Sequence, residues 1–218
     1  MKGIEKMTKG VEKMTKGIEK MTKGEKRKQE LLDIAYNLFL QKGYENTSVD
    51  EIILNAQIAK GTFYYYFKTK EQMLEEVIDR MVEEETKQAE AVLGMPISTM
   101  EKIPVVLGSF QPKVEENTIV TALNQPENLL LHDKISRKIQ ESAVPILSQL
   151  VEEGNKEGIF RCDHIPSRVK MLLILSNKLF DDSSFDMEDV EVFIDLAEKN
   201  LGAKNGAMGF LKTFIVGQ

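Results

Sequence analysis

Between Thr47 and Leu74 the sequence TSVDEIILNAQIAKGTFYYYFKTKEQML gathers hydroxyl, lysine and tyrosine side chains at spacings that suit a polyanion with readable edges. Lys60, Thr62, Tyr65 and Tyr66 fall in one short helical stretch, amid apolar Ile58 and Phe63. On a helix these two sets separate, one for a core and one for a partner. Such a helix fits a DNA major groove about 12 Å wide, with its first residues over base edges. Gly61 removes a side chain where backbone can approach a duplex closely. Lys70, in the first turn of the next helix, and the free amides at that helix start can hold phosphates.

Other chemistries find no footing. His132 and His164 are the two histidines, each a mere neighbour of an aspartate, and neither has Cys, Asp or Glu at a metal-ligand spacing. Cys162, beside Asp163, lacks the electropositive setting of a reactive thiolate, and a lone cysteine makes no intramolecular disulfide. There is no glycine-rich phosphate loop, nucleophile elbow or HExxH pair. No enzyme activity, metal or cofactor is expected.

The groove-reading groups need elements to position them. Leu31, Ile34, Ala35, Leu38 and Phe39 recur at helical spacing, and Lys42-Gly43 closes that helix with a glycine stop. Ser48 and Glu51, three apart ahead of Ile52 and Ile53, form a capping-box start for a second helix ending near residues 55–57. A tight turn at 55–58 leads into a third, about Ala59 to Tyr65, making a helix-turn-helix. Thr69 caps a fourth, running through Leu74, Val77, Ile78 and Met81 to about Leu93, where Gly94-Met95-Pro96 breaks it. Further helices are predicted over 98–109, 115–124, 127–157, 166–181 and 186–201, with a kink or break at Pro145. Residues 202–218 hold a late apolar cluster without readable boundaries. No alternating run supports a strand, so the fold class is all-α.

The 218 residues, 42% hydrophobic and 29% charged, have a globular composition. No apolar run nears the roughly 20 residues that span a bilayer, and no leader pattern opens the chain. A cytoplasmic protein with no membrane partner is the expectation. Its net charge of −6 is unevenly spread. Residues 1–70 hold 14 Lys/Arg against 9 Asp/Glu, whereas the rest holds 15 against 26. One end suits a polyanion and the other does not.

The stretch from about Lys28 to Leu74 resembles the TetR family of bacterial transcriptional regulators. The likeness is carried by Phe39, Gly43 and Tyr44 closing the first helix, then Thr47-Ser48, Ile52, Ala56, Lys60-Gly61-Thr62-Phe63-Tyr64, Phe67, Lys70 and Leu74. Gln57 stands where the family usually has the turn glycine, and Ala59 where it usually has a small hydroxyl residue. Either the turn lacks a left-handed residue or Gln57 bears that strain. The resemblance implies that Thr47 and Ser48 touch phosphates, that Lys60, Gly61, Thr62 and Tyr65 face the groove, and that Tyr64, Tyr66 and Lys70 anchor the flanking backbone. Packing offers a second role for some of these: Phe63 and Phe67 as core, Tyr64 as core with its hydroxyl free, Ser48 as a helix cap.

This reading divides the chain into an arm (1–24), a helix-turn-helix DNA-binding domain (25–70) and a helical ligand-binding and dimerisation domain (71–218). The family implies a ligand-responsive repressor that binds a palindromic operator as a homodimer and takes a small, mostly apolar ligand. Met100, Ile103, Leu107, Phe110, Leu123 and Met171 are candidate pocket residues. Helices 166–181 and 186–201 are apolar on more than one face, as a dimer contact requires. The alternative is a helical dimeric interaction or ligand-sensing protein whose helix-turn-helix is degenerate, favoured by Gln57 and Ala59.

The arm itself is a repeat. Residues 3–9, 10–16 and 17–23 read GIEKMTK, GVEKMTK and GIEKMTK. Ile4, Met7, Val11, Met14, Ile18 and Met21 form a heptad seam whose phase continues through Leu32, Ala35 and Phe39. A glycine in each heptad costs about 1 kcal/mol relative to alanine, so the repeat reads either as a duplicated leader or as an arm along DNA. Seven lysines against three glutamates precede Gly24. Deleting residues 1–20 is expected to flatten the salt dependence of DNA affinity while leaving sequence preference alone. An identical slope would mark the repeat as an inert leader.

Overall fold

The computed structural model describes residues 21–180 and 184–216, so most of the repeat (1–20) lies outside them. The described residues are helical and contain no strand, and none of their helices is long and apolar enough to cross a membrane. Two compact units divide the chain. One takes the described residues up to Ile78 together with Val114–Leu123, and the other takes Asp79–Lys113 and the remainder from Asn124.

The first unit begins with α1 (Lys23–Lys42). Thr22 caps it: the Thr22 amide donates to Glu25 Oε2 at 2.7 Å, and the Glu25 amide donates to Thr22 Oγ1 at 3.2 Å. These bonds to Thr22 hold the Glu25 carboxyl below the usual carboxylate range. In the repeats, Thr8 and Thr15 precede a glutamate by four residues. After Thr22 the β-branched residue is missing and the glutamate falls three ahead, which is the capping-box spacing. Thr22 is extended (φ −64°, ψ 160°), so the heptad phase does not carry one helix through into α1.

Two short helices follow, α2 (Val49–Ala56) and α3 (Lys60–Tyr66), and then α4 (Lys70–Leu93). Thr69 caps α4 by accepting from the Gln72 amide at 3.1 Å. Leu31, Ala35, Phe39, Ile52, Phe63, Phe67, Met73, Leu74 and Val77 are fully buried, drawn from all four helices and from the residue that ends α3. Each of these side chains larger than alanine contributes roughly 1.5–3 kcal/mol by leaving water. Arg27 ties α1 to the end of α2 through a bond from Nη2 to the Ala56 carbonyl at 2.9 Å.

The stretch predicted as one helix over 115–124 is a 3₁₀ turn (Val114–Glu116) followed by α6 (Asn117–Leu123), and α5 (Thr99–Ser109) precedes it. This segment belongs to the first unit. Buried Glu116 accepts from the Tyr36 hydroxyl at 2.9 Å, and the Thr118 hydroxyl donates to the Phe39 carbonyl at 3.0 Å.

The second unit is built on α7 (Leu129–Lys156), which follows a 3₁₀ turn at Pro126–Asn128 and packs against α5 and α8 (Ile165–Phe180). The helices α9 (Met187–Leu201) and α10 (Phe210–Val216) complete it, the latter formed by the late apolar cluster. The expected break at Pro145 does not occur, and α7 is continuous. Proline removes one backbone bond, but Ala143, Ile146, Leu147 and Leu150 around it are buried in the unit's core. Buried Lys102 donates to the Leu93 carbonyl at 3.0 Å and lies 3.3 Å from Glu153, so its charge is paired. Glu198, also buried, accepts from the amides of Gly206 and Met208 and holds the chain entering α10.

The turn between α2 and α3 resolves the alternatives for Gln57. It is left-handed (φ 53°, ψ 48°), and its amide bonds back to the carbonyls of Ile53 and Leu54. A non-glycine residue there is strained by about 1 kcal/mol. Gln57→Gly is expected to relieve that strain and to lose part of the gain to unfolded-chain entropy, for a net stabilisation of roughly 0.5 kcal/mol. A urea melt checks this, and an unchanged or lowered midpoint would show that Gln57 carries no net strain.

Candidate nucleic-acid interface

The short helix α3 is held from behind. Phe63 is fully buried, with Phe67 at a centroid distance of 5.8 Å and Tyr64 edge-on at 5.3 Å. That anchors one face and turns the other outward. Lys60, Gly61, Tyr64 and Tyr65 are exposed, with Tyr65 at 80%. Thr62 and Tyr66 are half-buried, and Tyr66 meets Tyr65 edge-on at 4.9 Å. Nothing lies within 4 Å of where a Gly61 Cβ would stand, so the chain's own packing does not require glycine there. Ala59 is the N-cap and makes no side-chain bond, and the Thr62 amide donates instead to the Ala59 carbonyl at 2.9 Å.

Several expected contacts have partners inside the chain. Lys60 Nζ donates to Asp50 Oδ1 at 3.0 Å, and this bond and the aspartate's charge raise the Lys60 pKa above its ordinary value. Lys70 Nζ donates to the Tyr44 carbonyl at 2.9 Å and sits 4.1 Å over the Tyr44 ring. It fastens the start of α4 to the connection after α1. Ser48 is exposed, and its hydroxyl oxygen accepts from the Glu51 amide at 3.1 Å as the cap of α2.

Thr47 departs from the expectation. It is 1% exposed, its hydroxyl donates to the Gly43 carbonyl at 2.8 Å, and its amide donates to the Tyr44 carbonyl at 3.2 Å. Both polar groups are thus turned inward, and Thr47 shapes the approach to α2 from beneath the surface.

Two residues of this region had no sequence signal. Arg27 reaches the Ala56 carbonyl across 29 positions, and Asp50 reaches Lys60 across ten and a turn. Of the predicted capping box only one half forms, the Glu51 amide on Ser48, while the Glu51 carboxylate pairs with Lys42; by sequence Asp50 is an ordinary first-turn acid.

The candidate pocket residues do not all come together. Ile103 is buried in the core of the second unit, and Met100, Leu107 and Phe110 pack against that core. Leu123 belongs to the first unit, buried in α6. Met171 is 64% exposed on α8 and lines no core. Helical spacing marks a residue as apolar but not which of two cores it enters, or whether it enters one.

A family model described as bacterial regulatory proteins, tetR family, matches residues 31–77. A second, described as tetracyclin repressor-like, C-terminal domain, matches residues 113–199. The uncharacterized HTH-type transcriptional regulator YhgD of Bacillus subtilis is 25% identical over 159 residues, covering 71% of this chain and 83% of that protein. The HTH-type transcriptional repressor KstR2 of Mycolicibacterium smegmatis is 29% identical over 143 residues, covering 63% and 69%. A transcriptional regulator from Cytophaga hutchinsonii shares the fold, with a TM-score of 0.57 at 17% identity over 80% of this chain and 94% of its own.

Lys60 and Tyr65 are the outward side chains of α3 that no core contact explains. Replacing either with alanine is expected to weaken binding to a duplex enriched from a random-sequence pool by about 1–3 kcal/mol, with the melting temperature unchanged. Unaltered affinity would remove that residue from the interface.

Proposed function

Because the chain belongs to the tetR family of bacterial regulatory proteins and is a DNA-binding transcriptional regulator, we propose that it is a repressor that binds a palindromic operator as a homodimer and is released by a small, mostly apolar ligand. The observation that carries the DNA reading is the division of α3 into a buried face at Phe63 and an open face at Lys60, Gly61 and Tyr65. Lys60, Gly61, Thr62 and Tyr65 meet the groove in this reading, while Ser48, Tyr64, Tyr66 and Lys70 flank it. Residues 25–70 then act as the DNA-binding domain, and 71–218 as the ligand-binding and dimerisation domain. A relative named as a transcriptional repressor supports the sign of regulation. Gln57 takes the left-handed turn that a glycine would, which removes one reason for reading the motif as degenerate.

Dimerisation is supported by apolar side chains left exposed on the last long helices. Met171, Ile174 and Leu175 follow helical spacing on α8, as do Val192 and Leu196 on α9. A partner of the same chain would cover them and pair two recognition helices across a two-fold axis. The ligand reading is supported by the half-buried Met100, Leu107 and Phe110 against the core of the second unit. The helix α4 carries residues of both units, 70–78 in one and 79–93 in the other, so it is the proposed lever.

Linkage requires a releasing ligand to bind less tightly when operator is present, by the same factor that it weakens DNA binding. Apolar and amphipathic metabolites that raise the melting temperature are the ones to test. Such a ligand is expected to weaken binding to the enriched duplex roughly 5- to 150-fold, with sedimentation showing a dimer throughout. Tight ligands that leave DNA affinity untouched would mean that this protein is not an induced repressor.

A further inference from the structure

Asp50 stands in the first turn of α2 and Lys60 opens α3, and their side chains meet across the turn between the two helices. Lys60 Nζ donates to Asp50 Oδ1 at 3.0 Å. Packing does not account for the pair, since 62% of the Lys60 side chain and 76% of the Asp50 side chain are exposed. A pair that open adds little stability. Each partner also keeps bonding capacity. An ammonium has three N–H donors, and among the described residues Lys60 Nζ spends one, on Asp50. The second carboxylate oxygen, Asp50 Oδ2, makes no hydrogen bond among the described residues.

A donor and an acceptor are thus held side by side and open to a partner. In a major groove the matching edge is a G·C pair, where guanine offers O6 and N7 to a cation and cytosine offers its N4 amine to a carboxylate. An A·T pair matches poorly. Adenine sets N7 beside its amine, thymine presents O4, and a carboxylate repels both acceptors. Rejecting the wrong edge discriminates as well as bonding the right one. The ion pair stays closed throughout, because the groups that bond are the remaining N–H donors of Lys60 and the second oxygen of Asp50. Nothing is given up to reach the matching edge, and the ammonium offsets the charge that would otherwise hold a carboxylate away from phosphates.

We propose that Asp50 is a base-reading, specificity-determining residue, which accepts from a cytosine N4 amine while the Lys60 ammonium bonded to it donates to the guanine of the same pair. This rests on the reading that α3 enters the groove, because the carboxylate reaches base edges only where the Lys60 ammonium does. Its signature is sensitivity to a single groove-facing hydrogen.

The test uses N4-methylcytosine, which keeps its pairing with guanine and sets a methyl group in place of the groove-facing N–H. It replaces each cytosine in turn in a duplex enriched from a random-sequence pool by the full wild-type chain, and every duplex is titrated with wild type and with Asp50→Ala. At one cytosine of each half-site the methyl is expected to weaken wild-type binding roughly fivefold to twentyfold, within the range of a base-edge contact. Asp50→Ala is expected to lose less than twofold there. Methylated and plain duplexes carry the same phosphates, so removing a charge, or folding a smaller fraction of the variant, scales both of its affinities alike and leaves their ratio untouched. Equal losses in the two proteins at every cytosine would assign those contacts to other side chains and overturn the proposal, as would no loss at any of them. Should Lys60→Ala and Tyr65→Ala leave the enriched duplex bound as before, the groove reading fails and the proposal falls with it. Losses in those two variants, without a cytosine that separates wild type from Asp50→Ala, sink the proposal alone.

Discussion

A helix of seven residues has almost no stability of its own in water, because nucleation is barely repaid before the helix ends. The third helix, α3, is that short. It exists because Phe63 and Phe67 are withdrawn completely from solvent and drag the intervening turn into register. The left-handed residue at Gln57 sets the direction in which α3 leaves α2, and Arg27 occupies the Ala56 carbonyl just before that turn. Everything the motif presents outward depends on this fastening. Lys60 and Tyr65 project where they do because Phe63, between them on the same helix, cannot rotate out.

Around that anchor, charge serves as structure as much as surface. Lys28 pairs with Glu76 at 2.5 Å, Lys42 with Glu51, and Lys70 with the Tyr44 carbonyl and ring. Lys28, Lys42 and Lys70 are therefore not part of a free electrostatic patch, since each ties one element to another. Lys60, at the start of α3, is held by a single exposed pair, which is weak.

The second unit uses buried ions differently. Lys102 ends α4 by taking the Leu93 carbonyl, and Glu198 gathers the Gly206 and Met208 amides so that α10 can follow. Close packing sets glycine at two places. A Cβ on Gly154 would stand 2.3 Å from the Phe160 ring, and Gly202 (φ 64°) lies against the Arg161 carbonyl. This packing leaves apolar side chains exposed, Met171, Ile174 and Leu175 on α8 and Val192 and Leu196 on α9.

Local chemistry was enough to determine the helices and most of their ends, since a cap, a glycine stop or a threonine at a helix start acts within one turn. Ser48, Thr69 and Gly43 act as the sequence predicts. So do the identity of the motif and its exposed Lys60 and Tyr65, because amphipathic spacing sorts a helix's faces without reference to the rest of the chain. Tertiary structure decided what depended on distant partners. It returned residues 114–123 to the first unit through Tyr36 and Phe39, carried α7 through Pro145 by burying its neighbours, and turned the Thr47 hydroxyl inward. It separated Leu123 and Met171 from the other pocket candidates and set Asp50 against Lys60. Periodicity reports that a side chain is apolar or charged, but the neighbour that receives it is chosen by how the chain folds back, and that information is not local.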